Sequence, residues 1–335
     1  MRNAFFLLFW GICQGINAQN EGLKHDFNWV IGYKRNPDSA FINRLDFNKN
    51  PVEISKYPVL HWPARSPCPM SDKDGNLILF ANGCELHGPD GEVLSNGDQI
   101  TPDQWVFDTY CPDYYPFTGS WMMLPDPGND TLYYLLAIGH RNTPVIYAWG
   151  VYASRLSDQE IFEKNTLICA DSVFGGHLTA CRHGNGRDWW LLFNKITTNL
   201  YYTYLLDPSG IHLMEIQSIG TPTPWLGSGS GQCAFSPDGS RYIHYNNVTD
   251  MYVYDFDRCS GQLSHFQQVD ILYNENTGNS FGGMAISPNS PEIFARQKVS
   301  GVRSGVRALR CQVSFDRDQR PVLEFPPSSP EFRKF

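Results

Sequence analysis

The chain reads as an all-β protein, and three observations carry that. Aromatic residues are abundant at 14% while charged residues are scarce at 18%, a balance that suits half-buried strands better than solvated helices. Short alternating runs are separated by Asp-Gly and Ser-Gly pairs along the 335 residues, and glycine there supplies the positive φ of a tight hairpin. The strand-like runs starting at Leu77 (LILFAN), Leu132 (LYYLLAI), Trp189 (WWLLFN) and Tyr242 (YIHYNN) begin 55, 57 and 53 residues apart. A period of about 50 residues made of short strands and turns predicts a β-propeller, one four-stranded blade per repeat.

The elements follow in order. Asn28–Gly32 (NWVIG) is a first strand, and a sixth repeat starts near Ile293, so six repeat positions are visible, of a ring that belongs to a seven- or eight-bladed type. Asp74-Gly75, Asp90-Gly91, Ser209-Gly210 and Asp238-Gly239 mark hairpin turns. In Met251–Phe256 one face carries Met251, Val253 and Asp255, the other Tyr252, Tyr254 and Phe256, the period of a strand. Helical turns are expected only at Asp103–Asp108 and Asp158–Lys164, as loop decorations.

Three segments divide the chain. Residues 1–18 have the makings of a secretory signal: Arg2, an apolar run from Phe5 to Trp10, and a small residue closing Ile16-Asn17-Ala18. The apolar run is far shorter than the roughly 20 residues that span a bilayer, and no later segment is long and apolar enough to do so. Residues 19–295 form one large β-propeller domain. Residues 296–335 make a divergent tail with nine Lys/Arg against four Asp/Glu, read as a basic surface or flexible end, or as a truncated or frame-altered last blade. The second alternative would leave an incomplete ring with unpaired strand edges.

Setting aside Cys13 leaves eight cysteines, an even number that suits export. Eight cysteines allow 105 pairings. Pairs within a repeat, Cys68–Cys84, Cys169–Cys181 and Cys233–Cys259, are the simplest expectation, each closing a short loop. A zinc site is the rival, without C-x-x-C or H-x-x-x-H spacing to support it. The net charge of −8 argues against nucleic acid as a partner.

Four segments carry a resemblance. Gly75–Cys84 (GNLILFANGC), His177–Trp190 (HLTACRHGNGRDWW), Phe235–Gly239 (FSPDG) and Tyr254–Gly261 (YDFDRCSG) resemble parts of blades from large secreted proteins of the Bacteroidetes. Those proteins carry a WD-repeat-like or lactonase-like propeller, often followed by a sorting domain read by the type IX secretion system. The FSPDG piece is common to many propellers, whereas the ACRHGNGRDWW block is far more specific. The resemblance spans Asn28 to Pro288 and stops after Ser290, with neither closing blades nor a sorting domain beyond. It implies a propeller and an exported setting, and it brings no reaction and no cofactor.

The densest polar cluster is Arg182, His183, Arg187 and Asp188, beside Trp189 and Trp190. As a site, its arginines would hold an anionic group, His183 would act as acid or base, and a tryptophan would stack on a ring. As structure, it is a hairpin with a Gly184-Asn185-Gly186 turn whose charges close a blade-to-blade contact, and this alternative is favoured. His140 and Arg141 follow the equivalent strand of the preceding repeat and are expected to face the same region. Asp72-Lys-Asp74-Gly-Asn76 suggests calcium, but it lacks the glutamate of a calcium loop and runs straight into a strand, so a hairpin turn is expected. The aromatic runs around Tyr114–Phe117, Trp121 and Tyr201–Tyr204 could be glycan platforms or packed core. Gly278-Asn-Ser280-Phe-Gly282 fits a nucleophile elbow by letter, yet no helix follows it.

Taken together, these features point to an exported, disulfide-bearing propeller acting as a binding or scaffold module for a protein or a glycan. No metal or other cofactor is expected. A propeller-face hydrolase or lyase using Arg182, His183 and Asp188 is the alternative, and a structural stalk or adhesin segment a third.

Overall fold

The computed structural model describes residues 23–32, 42–56, 67–111, 115, 119–140, 149–173, 178–223, 232–245, 250–270, 280–286, 293–299, 308–315 and 321–324. These residues build six antiparallel sheets, each meandering outward from one strand. The first holds β1 (Asn28–Gly32), β2 (Ile42–Asp46) and β3 (Glu53–Lys56), and the second β4 (Cys68–Ser71), β5 (Leu77–Ala81) and β6 (Leu86–His87). After the short helix α1 (Gln104–Tyr110) comes the third, with β7 (Trp121–Asp126), β8 (Asn129–His140), β9 (Trp149–Leu156) and β10 (Ile161–Cys169). The fourth holds β11 (Thr179–Arg182), β12 (Trp189–Asn194), β13 (Leu200–Asp207) and β14 (Gly210–Ser218). The fifth holds β15 (Gln232–Phe235), β16 (Arg241–Tyr245), β17 (Asp250–Asp257) and β18 (Gln262–Asp270). The sixth holds β19 (Ser280–Ile286), β20 (Ile293–Val299), β21 (Ala308–Phe315) and β22 (Pro321–Glu324).

The repeat seen in the sequence marks the second strand of each four-stranded sheet: β8, β12, β16 and β20 cover or closely flank the runs at Leu132, Trp189, Tyr242 and Ile293. β1 has that place in the first sheet. It begins where β4 ends, with Asn28 Nδ2 donating to Ser71 Oγ at 2.8 Å and to Gly75 O at 2.7 Å, so β1 runs opposite to β4. By contrast β7 and β11 start together, the Leu178 N–H reaching Gly119 O. The first sheet thus presents the second to fourth strands of a unit, and no described residue supplies its innermost strand.

Packing follows from the two-residue period of a strand. In β12 all six residues are buried. Trp189, Leu191 and Phe193 pack toward the third sheet with Tyr134, Leu136 and Ile138. Trp190 and Leu192 pack the other way, with Tyr242 and Tyr254 of the fifth. Val30 meets Leu77 and Phe80 between the first two sheets, Leu79 and Ala81 meet Met123 and Leu135 between the second and third, and Ile243 and Met251 meet Met284 between the fifth and sixth. Each large side chain so buried contributes about 1.5–3 kcal/mol.

The structure corrects several expectations. The helical turn expected at Asp103–Asp108 is present as α1, and Asp103 caps it, its carboxylate accepting the Val106 N–H at 3.1 Å. Asp158–Lys164 is not helical: Ser157 Oγ accepts the Gln159 and Glu160 N–H groups and turns the chain into β10, which pairs with β9. The boundary expected at residue 296 falls inside β20, and residues 296–324 supply much of the sixth sheet. None of the three expected disulfides is present. Cys84 is joined to Cys111, the residue that ends α1, because the helix folds back beside the β5–β6 turn. Cys68, Cys169, Cys181 and Cys233 are thiols, while Cys259 is disulfide-bonded to none of them. Pairs within a repeat fail for a spatial reason: Cys169 lies on an outermost strand and Cys181 on an innermost one, and Cys233 is likewise innermost while Cys259 sits in the β17–β18 turn. The signal-like residues 1–18 lie outside the described residues.

Burial pushes the Cys181 and Cys233 thiols up to about 12, so neither should be a thiolate near neutral pH. Alkylation at pH 8 should leave both unmodified in the native protein and label both after denaturation, while a non-reducing peptide map should recover Cys84 linked to Cys111. Rapid native labelling of Cys181, or a Cys169–Cys181 peptide, would contradict this arrangement.

Candidate functional site

The polar cluster lies on the hairpin between β11 and β12, where the ring end of one sheet meets the next. Arg182 and Trp189 are directly paired across the two strands. This pairing sets the guanidinium 4.2 Å from the indole centroid, a cation–π stack. Arg182 is buried, and its Nη1 donates to the carbonyls of Gly186 at 3.0 Å and Arg187 at 3.2 Å. Burial and the nearby Arg258 cation both lower its proton affinity, so the charge is sustained by carbonyl dipoles and the indole face.

Asp188 organises the rest of the turn. Its carboxylate accepts Arg187 Nε at 2.7 Å, Arg187 Nη2 at 3.1 Å and Asn185 Nδ2 at 2.6 Å. Burial would raise its pKa, yet the bonds from Arg187 and Asn185 outweigh that and hold it below the usual carboxylate value. Asn185 Oδ1 in turn accepts the N–H groups of Arg187 and Asp188. His183 Nδ1 accepts the Asn185 N–H at 2.9 Å, so a neutral ring carries its proton on Nε2. The ring lies 5.1 Å from that of Trp190.

The residue that completes the cluster comes from the fifth sheet. Arg258, in the β17–β18 turn, donates from Nε to Arg182 O at 2.8 Å, from Nη2 to His183 O at 3.4 Å and from Nη1 to Asp238 O at 3.1 Å. Its own carbonyl accepts the Gly184 N–H at 2.8 Å and Trp190 Nε1 at 2.7 Å. Sequence reading missed Arg258: nothing in Asp257-Arg-Cys-Ser-Gly261 reveals a partner some 75 residues away. The side chain crosses Gly239, where a Cβ would stand 2.6 Å from Arg258 Cδ and 2.7 Å from Cys181 Sγ.

The other candidates go elsewhere. His140 closes β8, at the opposite end of its sheet from the hairpin turn that corresponds to residues 183–188, and Arg141 lies outside the described residues. The structure therefore does not bring His140 beside Arg182. Of the aromatic runs, Tyr115, Trp121, Tyr201, Tyr202 and Tyr204 are buried core, while Tyr114 and Phe117 lie outside the described residues. An aromatic residue that does face outward is Trp105 on α1, 60% exposed and edge-on to Tyr110. Asp72 caps the β4–β5 turn by accepting the N–H groups of Asp74 and Asn76 and the Asn76 amide. Ser280 opens strand β19. Among the described residues no group of three or more His, Cys, Asp or Glu is placed to hold a metal ion, and no helix is long and apolar enough to cross a membrane.

No family model matches the chain, and no curated protein matches it in sequence. Solved structures do match it in shape. A protein assigned as a 6-phosphogluconolactonase from Bacteroides uniformis superposes with a TM-score of 0.52 at 13% identity, covering 88% of this chain and 80% of its own. A protein from Lactobacillus plantarum gives 0.51 at 11% identity, with the same coverage. The periplasmic gluconolactonase of Pseudomonas aeruginosa gives 0.50 at 13% identity, covering 88% and 81%. The fold is an all-β propeller. At such identities the likeness extends to the fold alone, and the six sheets are its blades.

Two predictions test the blade-to-blade junction. Gly186 and Gly239 both have positive φ, +76° and +72°, but a Cβ at Gly186 meets nothing within 4 Å. Gly186→Ala should cost about 1 kcal/mol in urea unfolding, and Gly239→Ala about 3 kcal/mol, because Arg258 must also give way; equal losses would show that Arg258 does not hold the two blades. Asp188 has a depressed folded-state pKa, so its stabilisation is complete above the unfolded value near 3.9 and is lost as pH falls through the folded value. The melting-temperature gap between wild type and Asp188→Asn should therefore be widest near pH 6 and narrow as the pH falls below the unfolded value.

Proposed function

We propose that this protein is an exported binding module whose ligand is a protein or a glycan. The observation that carries this is the exposed Trp105 on a helix made rigid at both ends. Asp103 caps its start, and the Cys84–Cys111 disulfide anchors its end to the second blade. A flat indole held rigidly at the surface loses little entropy on stacking against a sugar face or an apolar side chain. The polar cluster is compatible with the same reading, since Arg182, Arg187 and Asp188 make side-chain hydrogen bonds within the turn. An external setting is supported by the Cys84–Cys111 bridge, which suits an oxidising compartment, and by the signal-like first eighteen residues.

The alternative is lactone hydrolysis, motivated by the names of two proteins of similar fold. Binding and hydrolysis separate cleanly. On a glycan array, wild type should show bound sugars whose signal Trp105→Ala lowers at least tenfold at unchanged melting temperature. Gluconolactone and 6-phosphogluconolactone should open no faster with the protein than without it. Turnover that His183→Ala abolishes would overturn the binding assignment in favour of hydrolysis.

A further inference from the structure

The outer face of α1 is chemically selective. Gln104, Trp105, Asp108 and Thr109 are exposed, while Val106 turns into the core. Residues three and four apart are neighbours on a helix, so Asp108 and Thr109 both flank Trp105. Helical side chains lean toward the N-terminus, which carries the Asp108 carboxylate back over the turn that holds Gln104. Gln104 Nε2 donates to Asp108 Oδ1 at 2.8 Å. Asp108 Oδ2, Gln104 Oε1 and the second Gln104 Nε2–H have no partner among the described residues. The indole stands edge-on to Tyr110, ring centroids 5.9 Å apart, which limits its swing.

These neighbours select the occupant. Trp105 is the only large apolar side chain exposed on α1, and the residues around it on that face are polar. The core of a protein–protein contact is instead an apolar patch depleted of charge. A sugar ring has the complementary make-up: a face of C–H bonds that stacks on an indole, and an edge of hydroxyls that both donate and accept. The carboxylate–amide pair matches such an edge, because a hydroxyl can donate to Asp108 while accepting from Gln104. The bond to the ionised acceptor is the stronger of the two. Charge narrows the class further. α1 (QWVFDTY) carries no Lys or Arg, so Asp108 would repel a carboxylated or sulfated sugar. We propose that the ligand of this face is a neutral glycan, one pyranose ring lying on Trp105 with its hydroxyls bridging Asp108 and Gln104.

One stacked ring with two hydrogen bonds makes a weak site, with a dissociation constant on the order of 1 mM. Polysaccharides are therefore the suitable probes, since each presents many copies of the ring. Affinity electrophoresis through gels that contain one soluble polysaccharide at a time reads the binding as retardation. Dextran, mannan and hydroxyethylcellulose serve as neutral probes, and polygalacturonate and alginate as acidic ones.

Wild type should be retarded by at least one neutral probe and by neither acidic one. Trp105→Ala should remove the retardation, and Asp108→Ala and Gln104→Ala should each weaken it about tenfold. Trp29→Ala, which removes an exposed indole on the first blade, should leave it unchanged. All four positions are exposed, so circular dichroism of each variant should match wild type. Retardation by acidic probes alone overturns the neutral-glycan assignment but leaves Trp105 as a binding residue, and so does neutral binding that Asp108→Ala and Gln104→Ala leave intact. Absence of retardation by every probe overturns the assignment as well. Retardation that survives Trp105→Ala would remove the binding role of Trp105 itself, on which the glycan assignment rests.

Discussion

The constraint on which this structure depends is that a blade must bury both of its faces. A strand sends alternate residues to opposite sides, so a sheet inside a ring needs apolar residues at nearly every position of its middle strands. β12 shows the consequence: WWLLFN has no polar residue before Asn194, and each of its six side chains is buried. Aromatic rings make the contacts over long distances, as where Tyr201 of the fourth blade lies edge-on to Tyr254 of the fifth, their hydroxyls 2.7 Å apart. At such contacts apolar burial and a few polar clamps hold neighbouring blades together.

The hairpin at residues 183–188 shows how a polar clamp works where apolar packing ends. Its residues look like a reactive constellation because they are charged, close together and partly buried. Several of those charges are paired within the hairpin. Arg187 and Asn185 saturate Asp188, Arg182 lies on an indole under two carbonyls, and Arg258 reaches across from the next blade to bind three carbonyl oxygens. Arginine suits this because its planar fork can serve several acceptors in fixed directions. A lysine could not hold two blades through the same three carbonyls.

The errors of the sequence reading share one cause, the choice of near partners over distant ones. Pairing cysteines within a repeat closes the shortest loops, yet Cys169 and Cys181 sit on the rim and the inner edge of neighbouring blades. Asp158–Lys164 has the composition of a helical turn, but β9 offers it a ladder of hydrogen bonds, and tertiary pairing outweighs a weak local propensity. The tail looked foreign because its charge and aromatic content change, although residues 308–315 and 321–324 pair as strands of the sixth sheet.

The sequence by itself determined what is local and periodic. Spacing gave the repeat, the Asp-Gly pairs gave the turns at Gly75 and Gly239, and alternation gave the strand at Met251–Phe256. These follow from bond geometry and from the two-residue period, which act within a few neighbours. Only the tertiary structure decided which residues from different repeats would meet. Arg258 lies 76 positions from the carbonyl it holds at Arg182, and Cys111 reaches Cys84 only because α1 folds back. Likewise, Trp29 and Trp190 are equally apolar in the sequence, yet one is exposed and the other buried. The physical reason is that burial belongs to pairs of sheets, and a residue's neighbours across a blade boundary are set by the curvature of the whole ring.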